Sequence, residues 1–89
     1  MSVVNGKVAV GTAATAIPVS SVMPYVLHVH NDDNTNTLYL GGPDVTTANG
    51  MLVGGRESLQ MMMGPTDRLY AVSSNAGHNV SWLAVLKDI

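Results

Sequence analysis

The sequence predicts an all-β domain, a small antiparallel β-sandwich or barrel, and three observations lead to that class. Glycine or proline interrupts almost every stretch of ten residues, and no long window has apolar residues at the spacing of a helix. Short runs of β-branched and apolar residues recur at intervals of about ten residues. Turn residues separate these runs, which is typical of small sandwiches and barrels. We treat residues 1–89 as one domain.

The N-terminal part begins with a predicted strand over residues 7–11, "KVAVG". The preceding Asn5-Gly6 dipeptide suits a tight primed turn, so residues 1–4 are expected to pair back across that strand. Pro18 and Pro24 remove backbone donors from the next extended stretch, which indicates an edge or a connection. Residues 1–24 are therefore expected to form N-terminal strands or an arm.

The stretch "YVLHVHN" over residues 25–31 alternates cleanly and predicts a strand with Tyr25, Leu27 and Val29 in the core. The polar residues 32–36 form a turn into "TLYLGG", so the two strands are expected to make a hairpin. On the second strand the same alternation places Leu38 and Leu40 inside and Tyr39 outside.

Residues 41–50 contain too much glycine and proline for regular structure and are expected to form a loop. A brief extended piece, "MLVGG", leads to a strand on which Leu59, Met61 and Met63 alternate with Ser58, Gln60 and Met62. Gly64-Pro65-Thr66-Asp67 has proline at the first central position of a turn. The following "RLYAVSS" is expected to return antiparallel.

The last predicted strand covers residues 78–89, with Val80, Trp82, Ala84 and Leu86 on one face. The opposite face is also apolar toward its middle. This pattern indicates a central strand or a strand covered by a partner.

The composition points to a weakly charged surface. Charged residues make up 11% of the chain, against about 25% in an ordinary soluble domain, whereas the apolar fraction of 46% is normal. A net charge of −2 gives no basic stripe for phosphates, so we expect no nucleic-acid partner. No apolar run is long enough to span a bilayer and no signal peptide is recognisable, so we expect no membrane association.

Few residues offer chemistry. His28 and His30 share one strand face, and His78 could approach from a neighbouring strand to complete a zinc or iron site, but nothing in the spacing makes it converge. Solvent-facing or interface histidines are the expectation, with no metal and no cofactor. No nucleophile elbow, phosphate-binding loop or calcium-loop pattern occurs, so no catalytic residue is assigned and we expect no enzyme.

An intermolecular contact is the more informative possibility. Met62 must point away from the core if Met61 and Met63 enter it, and its flexible thioether suits an irregular contact surface with Tyr39 or Tyr70. The alternative is a stray exposed apolar residue. The predicted strands "YVLHVH" and "LQMMM" hold none of the lysines or prolines that guard sheet edges, which favours pairing between subunits.

The segment "LYLGGPDVTTANGMLVGGRESLQMMMGPTDRLYAV", residues 38–72, resembles a segment of small structural proteins of tailed bacteriophages. There a strand ends in a Gly-Gly or Gly-Ser turn, followed by D-V-T, a further glycine, G-x-E-S-L, a strand, G-P-x-D and L-Y-A-V. The preceding "VAVGTAATAI" resembles the strand pair that often stands before it. This chain departs from the pattern at "QMMMG", where a more polar strand is usual.

The resemblance implies a β-sandwich or barrel virion component, namely a capsid decoration (cement) protein on the outer surface of the head. Its implied partner is the major capsid protein, and it is implied to act as a homo-oligomer, with a trimer favoured, after synthesis in the host cytoplasm. The alternative is a tail- or fibre-associated module that recognises a host glycan through Trp82, Tyr39 and Tyr70. A small cupin-like metal protein using the three histidines is a third interpretation.

Overall fold

The computed structural model describes residues 2–19 and 23–86. Within them the chain forms eight strands and no helix, and therefore nothing helical that could cross a bilayer. The strands are β1 (Ser2–Val10), β2 (Thr15–Ala16), β3 (Tyr25–Asn31), β4 (Leu38–Gly41), β5 (Met51–Val53), β6 (Ser58–Met63), β7 (Tyr70–Ser73) and β8 (His78–Leu86).

The strands form two four-stranded antiparallel sheets. Sheet 1 has the order β1-β8-β3-β6, and sheet 2 has the order β2-β7-β4-β5. The predicted class, a small antiparallel β-sandwich, is confirmed. β8 and β3 are the two central strands of sheet 1, as the apolar character of both faces of β8 indicated.

The core lies between the two inner faces. On β3 and β8 every second residue is buried, and the members that alternation predicted are among the most buried side chains of the described residues. The inner cluster consists of Val10, Ile17, Val19, Tyr25, Leu27, Val29, Leu38, Leu40, Val53, Leu69, Ala71, Val80, Trp82, Ala84 and Leu86. Leu59, Met61 and Met63 of β6 pack against it, whereas Met62 points outward.

The prediction of a primed turn at Asn5-Gly6 is wrong. β1 runs without interruption from Ser2 to Val10 and pairs with β8 along its whole length. Gly6 lies opposite Trp82, and a Cβ added at Gly6 would lie 3.0 Å from an indole carbon. The glycine therefore makes room for the indole that crosses it, and a long partner strand extends the chain where the dipeptide alone would turn.

The predicted hairpin between β3 and β4 is also wrong, because the two strands belong to different sheets. Residues 32–37 carry the chain across the end of the sandwich. The Asp33 carboxylate accepts hydrogen bonds from the backbone N–H groups of Thr35 and Asn36 and from both of their side chains. These four bonds shape a crossing between sheets rather than a hairpin turn, and they hold the pKa of Asp33 well below its usual range.

The turn predicted at Gly64–Asp67 is present, since the Asp67 N–H donates to the Gly64 carbonyl over 3.2 Å. The predicted antiparallel return is wrong, because β7 pairs with β2 and β4 in sheet 2. The Tyr25 hydroxyl donates to the Asp67 carbonyl over 2.5 Å and anchors the departing chain to sheet 1. Burial raises the pKa of Tyr25, and the nearby Arg68 opposes that shift.

Two turns of the same design hold the ends of β6. In each, the carboxylate of the residue three positions later accepts a hydrogen bond from the N–H of the first glycine, from Gly54 to Glu57 over 2.7 Å and from Gly64 to Asp67 over 3.0 Å. The second central residue has a positive φ in both, 65° at Arg56 and 66° at Thr66. That geometry is the type II turn, in which glycine normally occupies this position.

We predict that Thr66→Gly stabilises the protein by about 0.5–1 kcal/mol, because relief of left-handed strain at a β-branched residue exceeds the entropic cost of glycine. The midpoint of urea unfolding measures the change. Thr12→Gly is the matched control, since Thr12 is exposed and does not have a positive φ. If Thr66→Gly loses as much stability as the control, the backbone at Thr66 is not strained.

Asp33 should make the stability of the protein depend on pH under acidic conditions. Its pKa is lower in the folded chain than in the unfolded one, so its stabilising contribution is complete above about pH 4 and is lost as the pH falls below that value. Asp33→Asn should therefore flatten the dependence of the thermal midpoint on pH between about 4 and 2. A variant whose midpoint falls with acid as steeply as the wild type's would contradict this assignment.

Candidate functional site

The outer face of sheet 1 is ordered in rows that run across all four strands. Strand pairing places Val3, Val85, Val26 and Met62 side by side, from β1 to β6. We call this set the apolar row. The next row consists of Asn5, Leu83, His28 and Gln60, and the one beyond it of Lys7, Ser81, His30 and Ser58. The face therefore changes from apolar to polar along the strand direction.

The two ends of the apolar row are open to solvent, and its central members Val26 and Val85 are half-buried. Met62 is 82% exposed, Val3 58% and Leu83, in the adjacent row, 38%. The apolar row and its neighbour contain no lysine, arginine, aspartate or glutamate. A contiguous apolar strip across a whole sheet face differs from scattered single exposed residues, and such strips mark interaction surfaces.

At the polar end of the face, four side chains are connected by a series of hydrogen bonds and polar contacts. His30 Nδ1 lies 2.8 Å from the Ser58 hydroxyl, and its Nε2 lies 3.6 Å from Asp32 Oδ1. The Ser81 hydroxyl donates to the other Asp32 oxygen over 2.5 Å. A shallow depression lies over this region, lined by Asn5, His28, Val29, His30, Ser58, Ser81, Trp82 and Leu83.

Ser58, His30 and Asp32 are the residue types of a hydrolytic triad. Acyl transfer also needs donors aimed at an oxyanion. The observed bonds tie β3, β6 and β8 together at this end of the face, and that is the role the geometry supports.

The three histidines do not converge. His28 and His30 lie on the outer face, whereas His78 lies on the inner face and is 2% exposed. Both of its ring nitrogens are engaged, Nδ1 with the Ser73 hydroxyl at 2.7 Å and Nε2 with Asn31 Oδ1 at 2.6 Å. Among the described residues, no group of three histidine or carboxylate side chains could hold a metal ion.

The hydrogen bonds that join Asn31, His78 and Ser73 can each be given a donor and an acceptor from the other bonds that Asn31 and Ser73 make. The Asn31 amide nitrogen donates to the backbone carbonyls of Asn36, Val53 and Gly54, so its oxygen is the acceptor that faces His78. His78 Nε2 therefore carries a hydrogen, and in the neutral ring Nδ1 accepts from the Ser73 hydroxyl. That hydroxyl in turn accepts from the Asn75 N–H over 3.2 Å.

The buried cluster Asn31–His78–Ser73 joins the two sheets, since Ser73 belongs to sheet 2 and the other two to sheet 1. Sequence reasoning missed it, although the signal was present. Asn31 continues the inward positions of β3, His78 those of β8 and Ser73 those of β7. Alternation carried one step further places all three polar side chains inside.

The three predicted interface residues lie on opposite sides of the molecule. Met62 is on the outer face of sheet 1. Tyr39 and Tyr70 are diagonal neighbours on the outer face of sheet 2 and are partly exposed. There the loop 42–50 folds back, with buried Val45 packed against Gly41. One contact surface of a single copy therefore cannot contain all three, and their interface role stays a prediction.

Trp82 is buried in the core, where its ring covers Gly6. Its indole Nε1 is the one buried side-chain nitrogen or oxygen in the described part of the chain that has no hydrogen-bond partner. An exposed aromatic platform containing Trp82 is therefore not formed.

Comparison with known proteins gives a structural likeness only. No protein-family model and no curated protein sequence matches this chain. A solved structure from work on Bacillus endospore appendages, described as a novel family of disulfide-linked pili, is similar with a TM-score of 0.55. The identity is 14%, over 97% of this chain and 89% of that chain. At that identity the likeness supports the sandwich fold and nothing further.

The buried cluster yields a prediction that separates His78 from the surface histidines. His78→Ala should destabilise the fold by about 2–4 kcal/mol, since it leaves a cavity and removes partners from Asn31 and Ser73. His28→Ala, on the outer face, should change stability by less than about 0.5 kcal/mol. Urea unfolding of both variants measures the difference, and equal losses would contradict the assignment of His78 as an internal brace.

Proposed function

We propose that this chain is a non-catalytic structural subunit that attaches to the outside of an assembled protein shell, the role of a bacteriophage capsid decoration protein. The proposed partner is the major capsid protein, and the proposed location is the outer surface of the virion head. The chain is proposed to act there as a homo-oligomer, with a trimer favoured.

The observation that carries the proposal is the apolar row together with the uncharged row beside it. Burying a charged side chain at a contact is costly unless it is paired. A face without charged residues avoids that cost over two consecutive rows. The low charge of the whole chain, 11%, agrees with a surface that is meant to be covered.

The structural likeness to a pilus protein is compatible with an assembly role but identifies no partner. That structure is described as part of disulfide-linked pili. The 89 residues here contain no cysteine, so these residues cannot form such links. Contacts made by this chain are therefore proposed to be non-covalent and to depend on apolar burial and hydrogen bonds.

The glycan-binding alternative is weaker. It requires an exposed aromatic platform, and burial of Trp82 leaves only Tyr39 and Tyr70 on the outer face of sheet 2. Two partly exposed rings offer less stacking surface than three. We therefore retain the assembly proposal.

The direct test is the copy number of the chain in particles. Quantitative mass spectrometry of purified virions should find it in numbers comparable with those of the major capsid protein, since a decoration protein binds stoichiometrically. A handful of copies per particle, or none, would exclude the proposal.

A substitution tests which face makes the contact. Leu83→Lys places a charge at the centre of the outer face of sheet 1, and we expect particle occupancy to fall at least about tenfold, equivalent to about 1.4 kcal/mol. The urea midpoint should hardly change, because the Leu83 side chain is exposed. Asn79→Lys is the matched control, on the same strand and face but at the polar end. Equal occupancy of the two variants would exclude this face.

A further inference from the structure

We propose that copies of this chain join through their sheet edges, with β6 of one copy pairing antiparallel with β1 of the next. The inference is independent of attachment to a shell, since copies could pair in this way without any other partner. It rests on the directions of the edge strands, on their composition and on a register that matches side chains across the junction.

The directions of the edges permit the pairing. Sheet 1 has four strands, each antiparallel to its neighbour, so β1 and β6 run in opposite directions. A second copy placed beside the first in the same orientation therefore presents its β1 antiparallel to β6. An odd number of strands would have given a parallel junction. The contact joins two different edges, so it adds copies in one direction until the array closes.

Both edges are free in the described residues, and β6 is unprotected whereas β1 carries one lysine. β1 is nine residues long and β6 six, and nothing in residues 2–19 or 23–86 pairs with the outer side of either strand. Neither strand contains proline, and Lys7 is the one charged residue in the two strands. Natural monomers block such edges with lysine, proline or bulges, because free backbone groups recruit further strands.

One register matches the side chains on both faces. With Met62 opposite Val3 of the next copy, the apolar row continues across the junction. Gln60 then lies opposite Asn5, and Met61 lies opposite Val4 on the inner face. A shift of two residues in one direction sets Met62 against Asn5, and the opposite shift sets Gln60 against Val3. Cross-strand matching of this kind selects a register.

The side of the sandwich is too small for a stable contact between copies by apolar burial alone, so the contact needs the hydrogen bonds between strands. A nine-residue strand is about 30 Å long and stacked sheets lie about 10 Å apart, so the side of the sandwich at β1 or β6 is a narrow strip, on the order of 300–600 Å² per copy. That is below the roughly 800 Å² per partner of a standard interface. Backbone pairing between β6 and β1 supplies the specific contacts that area alone does not.

The inference can be tested by cross-linking, because the chain has no cysteine of its own. In the double variant Asn5→Cys/Gln60→Cys the two thiols of one copy are three strand spacings apart, about 14 Å. A disulfide needs Cα atoms within about 7 Å. Bonds between residues 5 and 60 can therefore form only between copies. We expect diamide oxidation to give a covalent ladder, or closed rings, on non-reducing gels, with 5–60 linked peptides by mass spectrometry.

The matched control is Asn5→Cys/Ser58→Cys, with both thiols on the same outer face but two residues out of register. It should give at least about fivefold less covalent oligomer at the same protein concentration. Val3→Cys/Met62→Cys is a second in-register pair and should repeat the ladder if the first pair disturbs folding. Equal ladders from the in-register and shifted pairs, or monomer from both in-register pairs, would overturn the inference. A ladder from protein that does not bind particles would uphold it and exclude shell attachment.

Discussion

The buried hydrogen bonds between Asn31, His78 and Ser73 fix the position of one sheet on the other. Each of the three side chains lies inside the sandwich, where an unpaired polar group is expensive. Their bonds are satisfied only when β3, β8 and β7 are aligned as observed. Asn31 also binds the carbonyls of Val53 and Gly54, so the end of β5 belongs to the same arrangement. A slip of one residue in β3 or β8 would break the chain of bonds.

The same register decides what faces outward. Side chains alternate along a strand, so fixing His78 and Asn31 inside also fixes Leu83, Val85 and Val26 outside. The apolar row is thus a consequence of the alignment that completes the buried cluster. The proposed contact surface and the internal brace are opposite faces of the same two central strands. Loss of the brace and loss of the proposed contact surface are nevertheless separable, because exposed side chains contribute little to folding.

Alternation along each strand predicted correctly which residues face inward and outward, but it does not predict which strands pair with each other. A period of two, which any sheet imposes, predicts Tyr25, Leu27 and Leu38 in the core, and all three are buried. Pairing depends on residues distant in sequence. The Asn5-Gly6 dipeptide predicts a turn, but Gly6 lies within β1 and against the Trp82 ring. The turns predicted at Asp33 and Gly64 are present, but after each of them the chain crosses to the other sheet. The apolar row likewise appears only when four strands are aligned.

We propose that the outer face of sheet 1 is covered when the chain is in its assembled state, and two methionines provide an internal comparison. Met62 is 82% exposed on that face, and Met51 is 61% exposed at the edge of sheet 2. Hydroxyl-radical footprinting measures the oxidation rate of each thioether in the free chain and in particles that contain it. We expect the rate at Met62 to fall at least about tenfold in particles and the rate at Met51 to fall much less, since a covered thioether is shielded from the solvent radical. An unchanged rate at Met62, or protection of Met51 in its place, would contradict the account.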